Sequence, residues 1–154
     1  MSRVEARLAE LGLELPEVVP PLAAYVPAVV VDGWVYTAGQ LPLRDGEPVA
    51  VGHVGAEVSP EIGAECARQC ALNGLAAIKA AVSDLDSIAQ IVKVTGFVAS
   101  APGFTGQPIV INGASEFLGA VFGDAGRHAR SAVGVAELPL GVPVEVEFLA
   151  RLRD

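Results

Sequence analysis

Basic residues are scarce in this chain: ten lysines and arginines stand against 18 aspartates and glutamates, a formal net charge of −8. Nucleic-acid binding ordinarily rests on a basic footprint. Here the sign is opposite and the basic residues are scattered, so neither RNA nor DNA is an expected partner. Cysteine is limited to Cys66 and Cys70. Four residues apart in a helical pattern, they can share a face, but helix geometry makes a disulfide between them awkward. With no His or Cys pair nearby to complete a ligand set, no metal site is expected. They read as buried thiols of a reducing cytoplasm. Long apolar runs are missing too: the longest uncharged stretch, Val94 to Ser115, is interrupted by Pro102, Pro108 and four glycines. That excludes a continuous membrane-spanning helix there. The N-terminal MSRVEARLAELG alternates charges of both signs without an apolar core, so no signal peptide is expected.

What is plentiful is apolar surface. Hydrophobic residues make up 52% of the chain before its 17 glycines are counted. An average soluble chain reaches roughly 45–50% with glycine included. A single domain over 1–154, the simplest reading of this length, cannot easily bury that surplus within itself. A subunit interface, and hence an oligomer, is expected.

Local signals divide the chain into an N-terminal helix and arm (1–22) and a core (23–152). Ser2 with Glu5 forms a capping box, and Val4, Leu8 and Leu11 recur at helical spacing before Gly12. Three prolines between Leu13 and Pro21 predict an extended arm. Val29–Val31 and Trp34–Thr37 flank Asp32-Gly33, a type I′ hairpin signal. Arg44-Asp45-Gly46-Glu47 predicts a second reversal, followed by a short strand through Val49 to Val51 and a loop to Val58. Ser59-Pro60-Glu61 opens a helix whose apolar stripe is Ala67, Ala71, Leu75, Ile78 and Val82. Ile91–Ala99 is a central strand. Pro108 opens a second helix with Val110, Ala114, Phe117 and Val121 on one side, and two strands follow Gly126. The resulting order, β-β-β-α-β-α-β-β, defines an α+β class with two long helices on one face of a sheet.

The stretch from His128 to Leu152 carries the chemistry. Alternation puts Val144, Val146 and Phe148 on one strand face and Glu145, Glu147 and Leu149 on the other. Two carboxylates on one face, with Arg130 expected on the neighbouring strand, resemble a site more than a surface. Two readings of Arg130 are open from spacing: an ion pair to Glu145 or Glu147, or a planar fork that grips a small carboxylate bidentately.

Three stretches together resemble the RidA/YjgF family of enamine/imine deaminases: Tyr25 through Thr37-Ala38-Gly39-Gln40-Leu41-Pro42; Ile91–Val98 with Asn112 in the following helix; and Ala129-Arg130-Ser131, Leu138-Pro139 and Val144–Glu147. The similarity covers roughly Ala23 to Leu152, and the third stretch is the most specific. It implies a chorismate-mutase-like fold assembled as a homotrimer with active sites in clefts between subunits. It also implies hydrolysis of 2-imino or enamine acids to 2-keto acids and ammonia without metal or organic cofactor. By that resemblance Arg130 holds the substrate carboxylate, Glu145 positions the attacking water, and Tyr25, Gly39, Asn112 and the backbone of Ala132 line the substrate.

Bland alternatives stand beside these roles. Tyr25 is either core packing or an aromatic wall, Asn112 either a ligand contact or a local cap, and Glu147 a solvated acid. His128, two residues before Arg130, is a minor acid–base candidate on the same face. The chain also departs from the familiar deaminase pattern: Ala38 stands where serine is frequent, Ala132 where cysteine is frequent, and Gly134 where a larger or acidic residue is common. A larger or differently lined pocket is expected. A trimeric carboxylate binder without turnover is the second reading, and a ribonuclease, disfavoured by the charge, is the third.

Overall fold

Residues 1–18 and 23–154 are described in the computed structural model. The first helix, α1 (Arg3–Glu10), has the expected capping box, with Ser2 Oγ accepting from Glu5 N–H at 3.1 Å and Glu5 Oε2 accepting from Ser2 N–H at 3.1 Å. A second cap comes from far along the chain, where the Asp86 carboxylate accepts from the N–H groups of Arg3 (2.8 Å) and Val4 (3.0 Å). Val4 and Leu8 bury against the core. The ion pair between Glu5 and Lys79 ties α1 to the rest of the molecule; its hydrogen bond leads the causes that lower the Glu5 carboxyl to about 2. The arm is irregular from Leu13 to Val18, with Leu13 and Leu15 against the core; its remaining expected positions lie outside the described residues.

The first hairpin pairs β1 (Ala28–Val31) with β2 (Trp34–Thr37). Asp32 (φ 49°) and Gly33 (φ 77°) both sit in the left-handed region that a type I′ turn requires. The reversal at Asp45-Gly46 also forms, joining β3 (Leu43–Arg44) to β4 (Glu47–Pro48). The third strand expected over Val49–Val51 does not. Pro48 lacks a ladder donor, the Val49 N–H turns back to the Pro42 carbonyl at 2.9 Å, and Gly52 (φ 124°) bends the chain away.

Ser59 caps α2 (Pro60–Val82) through Ile62 N–H at 3.2 Å. The buried side of α2 is wider than one stripe: Cys66, Cys70, Leu72, Ala76 and Ala77 join Ala67, Ala71, Leu75 and Ile78. The reason is that α2 packs against both the sheet and α3 (Gln107–Phe122). Glycines permit that contact. A Cβ at Gly113 would overlap the Ala64 carbonyl, and one at Gly74 would collide with the Phe148 ring. On α3, Val110, Ala114, Phe117 and Val121 are buried as the periodicity requires.

The remaining strands are β5 (Ile88–Ala99), β6 (Ala129–Val135) and β7 (Val144–Leu152), and the five-stranded sheet runs β1-β2-β7-β5-β6. Only β5 and β6 are parallel; a parallel pair needs a crossover, which α3 provides. Burial alternates strictly along β7 from Val144 to Ala150, so the two sheet faces differ. One is covered by the helices. The other carries Glu145, Glu147, Leu149 and exposed apolar side chains such as Val29, Tyr36 and Val133. No helix among the described residues is long and apolar enough to cross a membrane.

Candidate active site

Between β2 and β7 the pairing slips by one residue. Tyr36 stands opposite Leu149 and Gln40 opposite Val146, so four steps on one chain span three on the other. Such a bulge re-aims side chains and ends regular pairing. Here it swings Ala38-Gly39 over Glu145. A Cβ at Gly39 would meet the Glu145 carboxylate, lying 2.8 Å from Cδ and 3.2 Å from Cγ, so glycine makes the notch that the carboxylate occupies. The Glu145 carboxylate has no hydrogen bond or ion pair among the described residues. Burial first, and the like charge of Glu147 second, hold its carboxyl above the ordinary glutamate range.

A cavity of about 250 Å³ opens beside this notch, lined by Tyr25, Pro27, Ala38, Gly39, Gln40 and Leu41 together with Pro16 and Val18 of the arm. Tyr25 is 58% exposed, which removes the core-packing reading. Asn73 of α2, a polar residue within an apolar helix, braces this wall by donating to the carbonyls of Leu41 (3.0 Å) and Leu43 (2.9 Å). Gln69 donates to Asn73 Oδ1 at 3.0 Å and accepts from Arg44 at 3.2 Å. A larger cavity of about 770 Å³ beside α1, lined by Glu5, Leu8, Leu13 and Lys79, contains none of the candidate residues.

Arg130 lies elsewhere. Its strand β6 pairs with β5, not with β7, and β5 separates it from Glu145. The expectation of an arginine on the strand next to the glutamates is therefore corrected, and Arg130 forms no ion pair with either one. It points to the helix side, where Nη1 donates to Asn112 Oδ1 at 2.8 Å and to Ser115 Oγ at 3.2 Å, and Nη2 donates to the Pro108 carbonyl at 3.2 Å. All three acceptors are neutral. They orient the guanidinium without cancelling its charge, and they leave Nε–H and one Nη2 hydrogen, enough to hold a planar carboxylate by two bonds. Asn112 is a partner of Arg130 rather than a helix cap, since Gly106 holds the N-cap position of α3. Ala132, two residues along β6, shares the helix-facing side and packs on the core.

His128 also reaches this cluster: Nε2 is 2.8 Å from Ser115 Oγ and Nδ1 is 2.7 Å from the Gly126 carbonyl. The spacing Asn112-x-x-Ser115 puts both residues on one side of α3, a signal present in the sequence that only the position of β6 makes meaningful. The space opened by Gly134 is filled, because a Cβ there would lie 2.9 Å from Gln107 Nε2 and 3.0 Å from Ser100 Oγ. The lining there differs without being larger. Cys66 and Cys70 are buried free thiols; burial raises Cys66 to about 11 and raises Cys70 as well. Among the described residues no His, Cys, Asp and Glu group of three could hold a metal.

A mixed five-stranded sheet under two helices packed in parallel through glycine contacts, with an arginine on its parallel edge strand, defines the chorismate-mutase-like α+β class. The chain belongs to the family described as "YjgF/chorismate mutase-like, putative endoribonuclease", whose model matches residues 5–152. It is 43% identical to Protein TCP17 of Trypanosoma cruzi, covering 99% of this chain and 96% of that protein. The crystal structure of Atu1372 from Agrobacterium tumefaciens is 43% identical with a TM-score of 0.92, over 98% of this chain and 93% of that one. TdcF of E. coli, solved with bound serine, is 25% identical with a TM-score of 0.63, over 88% of this chain and 92% of that one.

Proposed function

We propose that the protein hydrolyses small 2-imino or enamine acids to 2-keto acids and ammonia, in a cleft that two copies of the chain complete. The observation that carries this reading is Arg130, a guanidinium fixed by three neutral acceptors with no acidic partner among the described residues. A guanidinium oriented by neutral acceptors, with no counter-charge beside it, is set up to take an anion in charge-assisted bonds. The substrate carboxylate would supply it, assisted by the Ala132 backbone N–H. The serine in E. coli TdcF, a ligand with the same carboxylate, supports this class.

Glu145, Gly39 and Tyr25 form a second half-site that lies across β5 from the first. An active site that needs both halves takes Arg130 from one subunit and Glu145 from its neighbour, as in a homotrimer packed through the uncovered sheet face. Glu145 then accepts a proton from water as the water oxygen bonds to the C=N carbon. It passes that proton to the imine nitrogen to give a carbinolamine, then carries the carbinolamine hydroxyl proton to the same nitrogen as the C–N bond breaks, so both hydrogens of the added water leave in ammonia and its oxygen stays as the keto oxygen. Its raised pKa suits a group that must both take and give. The reaction is intrinsically easy, so orientation accounts for most of what is needed.

A carboxylate binder without turnover is the second reading, favoured by Ala38 on the wall where a hydroxyl is absent. The family's endoribonuclease description finds no support in a net charge of −8. Imines generated in situ by an amino-acid oxidase test the proposal through keto-acid appearance. Acceleration by the wild type that vanishes in an assembled Arg130→Ala variant is the expected result. Turnover that persists in Arg130→Ala would overturn it, and saturable keto-acid binding with no acceleration would establish the binder.

A further inference from the structure

We propose that Ser115 and His128 are positioning residues for Arg130, forming a one-directional relay from the backbone of Gly126 to the guanidinium. This rests on the reading of Arg130 as the carboxylate-binding group. Neutral imidazole carries one donor and one acceptor nitrogen. The Gly126 carbonyl, 2.7 Å from His128 Nδ1, can only accept, so Nδ1 holds the hydrogen and Nε2 is left with a lone pair. The Ser115 hydroxyl, 2.8 Å away, therefore donates its single hydrogen to Nε2. Its oxygen is left with lone pairs only, one of which accepts from Arg130 Nη1 at 3.2 Å. Every member of the chain has one role.

The consequence is preorganisation. A flexible arginine side chain loses rotamer entropy when it is fixed, and binding a carboxylate in two bonds requires one orientation of the fork. Asn112 and Pro108 hold one part of the guanidinium, while Ser115 completes the hold on Nη1. A serine without His128 keeps its oxygen there but is free to rotate its hydrogen toward the guanidinium, which opposes the bond. His128 thus acts on the ligand through Ser115 and Arg130, not by proton transfer to substrate.

The test compares the assembled wild type with Ser115→Ala, His128→Phe and His128→Gln, the last keeping an acceptor near the Nε2 position. Thermal melting serves as the fold control. Calorimetric titration with 2-oxobutanoate and imine kinetics are the functional readouts. Ser115→Ala and His128→Phe are expected to raise Kd and KM together by about tenfold with kcat within about twofold, and His128→Gln to recover most of the loss. Binding unchanged in all variants, or a loss confined to kcat, would overturn the relay. A ligand-free measurement separates this from failure of the proposed function. Nitrogen-15 spectra of the free protein should show His128 as the Nδ1–H tautomer, and the Arg130 guanidinium resonances should broaden in Ser115→Ala. If the wild type binds and turns over nothing, those spectra still decide the relay: the opposite tautomer, or Arg130 signals indifferent to Ser115, refutes it.

Discussion

Gly39→Ala isolates the notch around Glu145. The added Cβ would sit within the carboxylate, 2.8 Å from Cδ and 3.2 Å from Cγ, and the backbones on both sides are tied by the paired bonds between Gln40 and Val146 at 2.8 and 3.1 Å. The strands cannot separate cheaply, so Glu145 must rotate about its own side chain. Restoring ordinary contact of about 3.4 Å or more moves the carboxylate by roughly 1 Å, and a misplacement of that size can cost about 10²-fold in rate. Stability should change little. Gly39 does not sit at a positive φ, so alanine gains about 0.4–1 kcal/mol from the unfolded chain. Displacing a half-buried flexible side chain offsets this by about 1–3 kcal/mol. The net shift is a few degrees in Tm. Keto-acid formation from oxidase-generated imines, read beside a thermal melt, measures both. A variant that turns over at the wild-type rate would refute the placement of Glu145 at the reacting carbon. A variant that unfolds outright would refute the claim that only a side chain must yield.

Three further outcomes follow from the same geometry. Arg130→Lys keeps the charge but loses the fork and its three neutral acceptors, so 2-oxobutanoate affinity measured by calorimetry should fall by about 10–100-fold, the loss of one charge-assisted bond or more. Glu145→Gln should abolish turnover while leaving the fold at least as stable at pH 7. The folded-state pKa of Glu145 is raised, so its contribution is fully present below the unfolded glutamate value and is lost as pH rises through the folded one. The gain of the variant in melting experiments should be under about 1 kcal/mol, because solvent screens a half-exposed charge, and it should disappear below about pH 4. Gly113→Ala sets a Cβ against the backbone of Ala64, 2.7 Å from its carbonyl carbon and 2.9 Å from its Cα. The helices must move apart, and a loss of about 1–3 kcal/mol in denaturant unfolding is expected; an unchanged midpoint would show that α2 and α3 are not held at this distance.

Much of the architecture is written locally. Asp32-Gly33 dictates a hairpin because its two positive φ values are cheap for that pair. Ser2 with Glu5, and Ser59 with Pro60, start helices because they satisfy orphan N–H groups within three residues. The alternation from Val144 to Leu149 sorts β7 into a core face and an open face because the strand period is two. These signals act over a few residues, and the sequence alone suffices to read them. Arg130, Glu145, Asn112, Gly39 and Tyr25 were likewise legible as candidates from residue type and resemblance.

Their grouping was not. Strand order depends on how the whole chain closes its core, and the crossover through α3 sets β5 between the arginine and the glutamates. The candidate residues fall into two separate groups, one scaffolded by α3 and one by the bulge at Ala38-Gly39. That bulge is a mismatch of lengths between two strands over a hundred residues apart in sequence, which no local pattern encodes. The strand expected at Val49–Val51 failed for a similar reason, since pairing needs a neighbour as well as a β-prone segment. The sequence alone determined the elements, their faces and the types of side chain available for chemistry, because those follow from dihedral preference and periodicity. The tertiary structure alone decided which of those side chains meet, because contacts between distant segments are set by burial summed over the entire core.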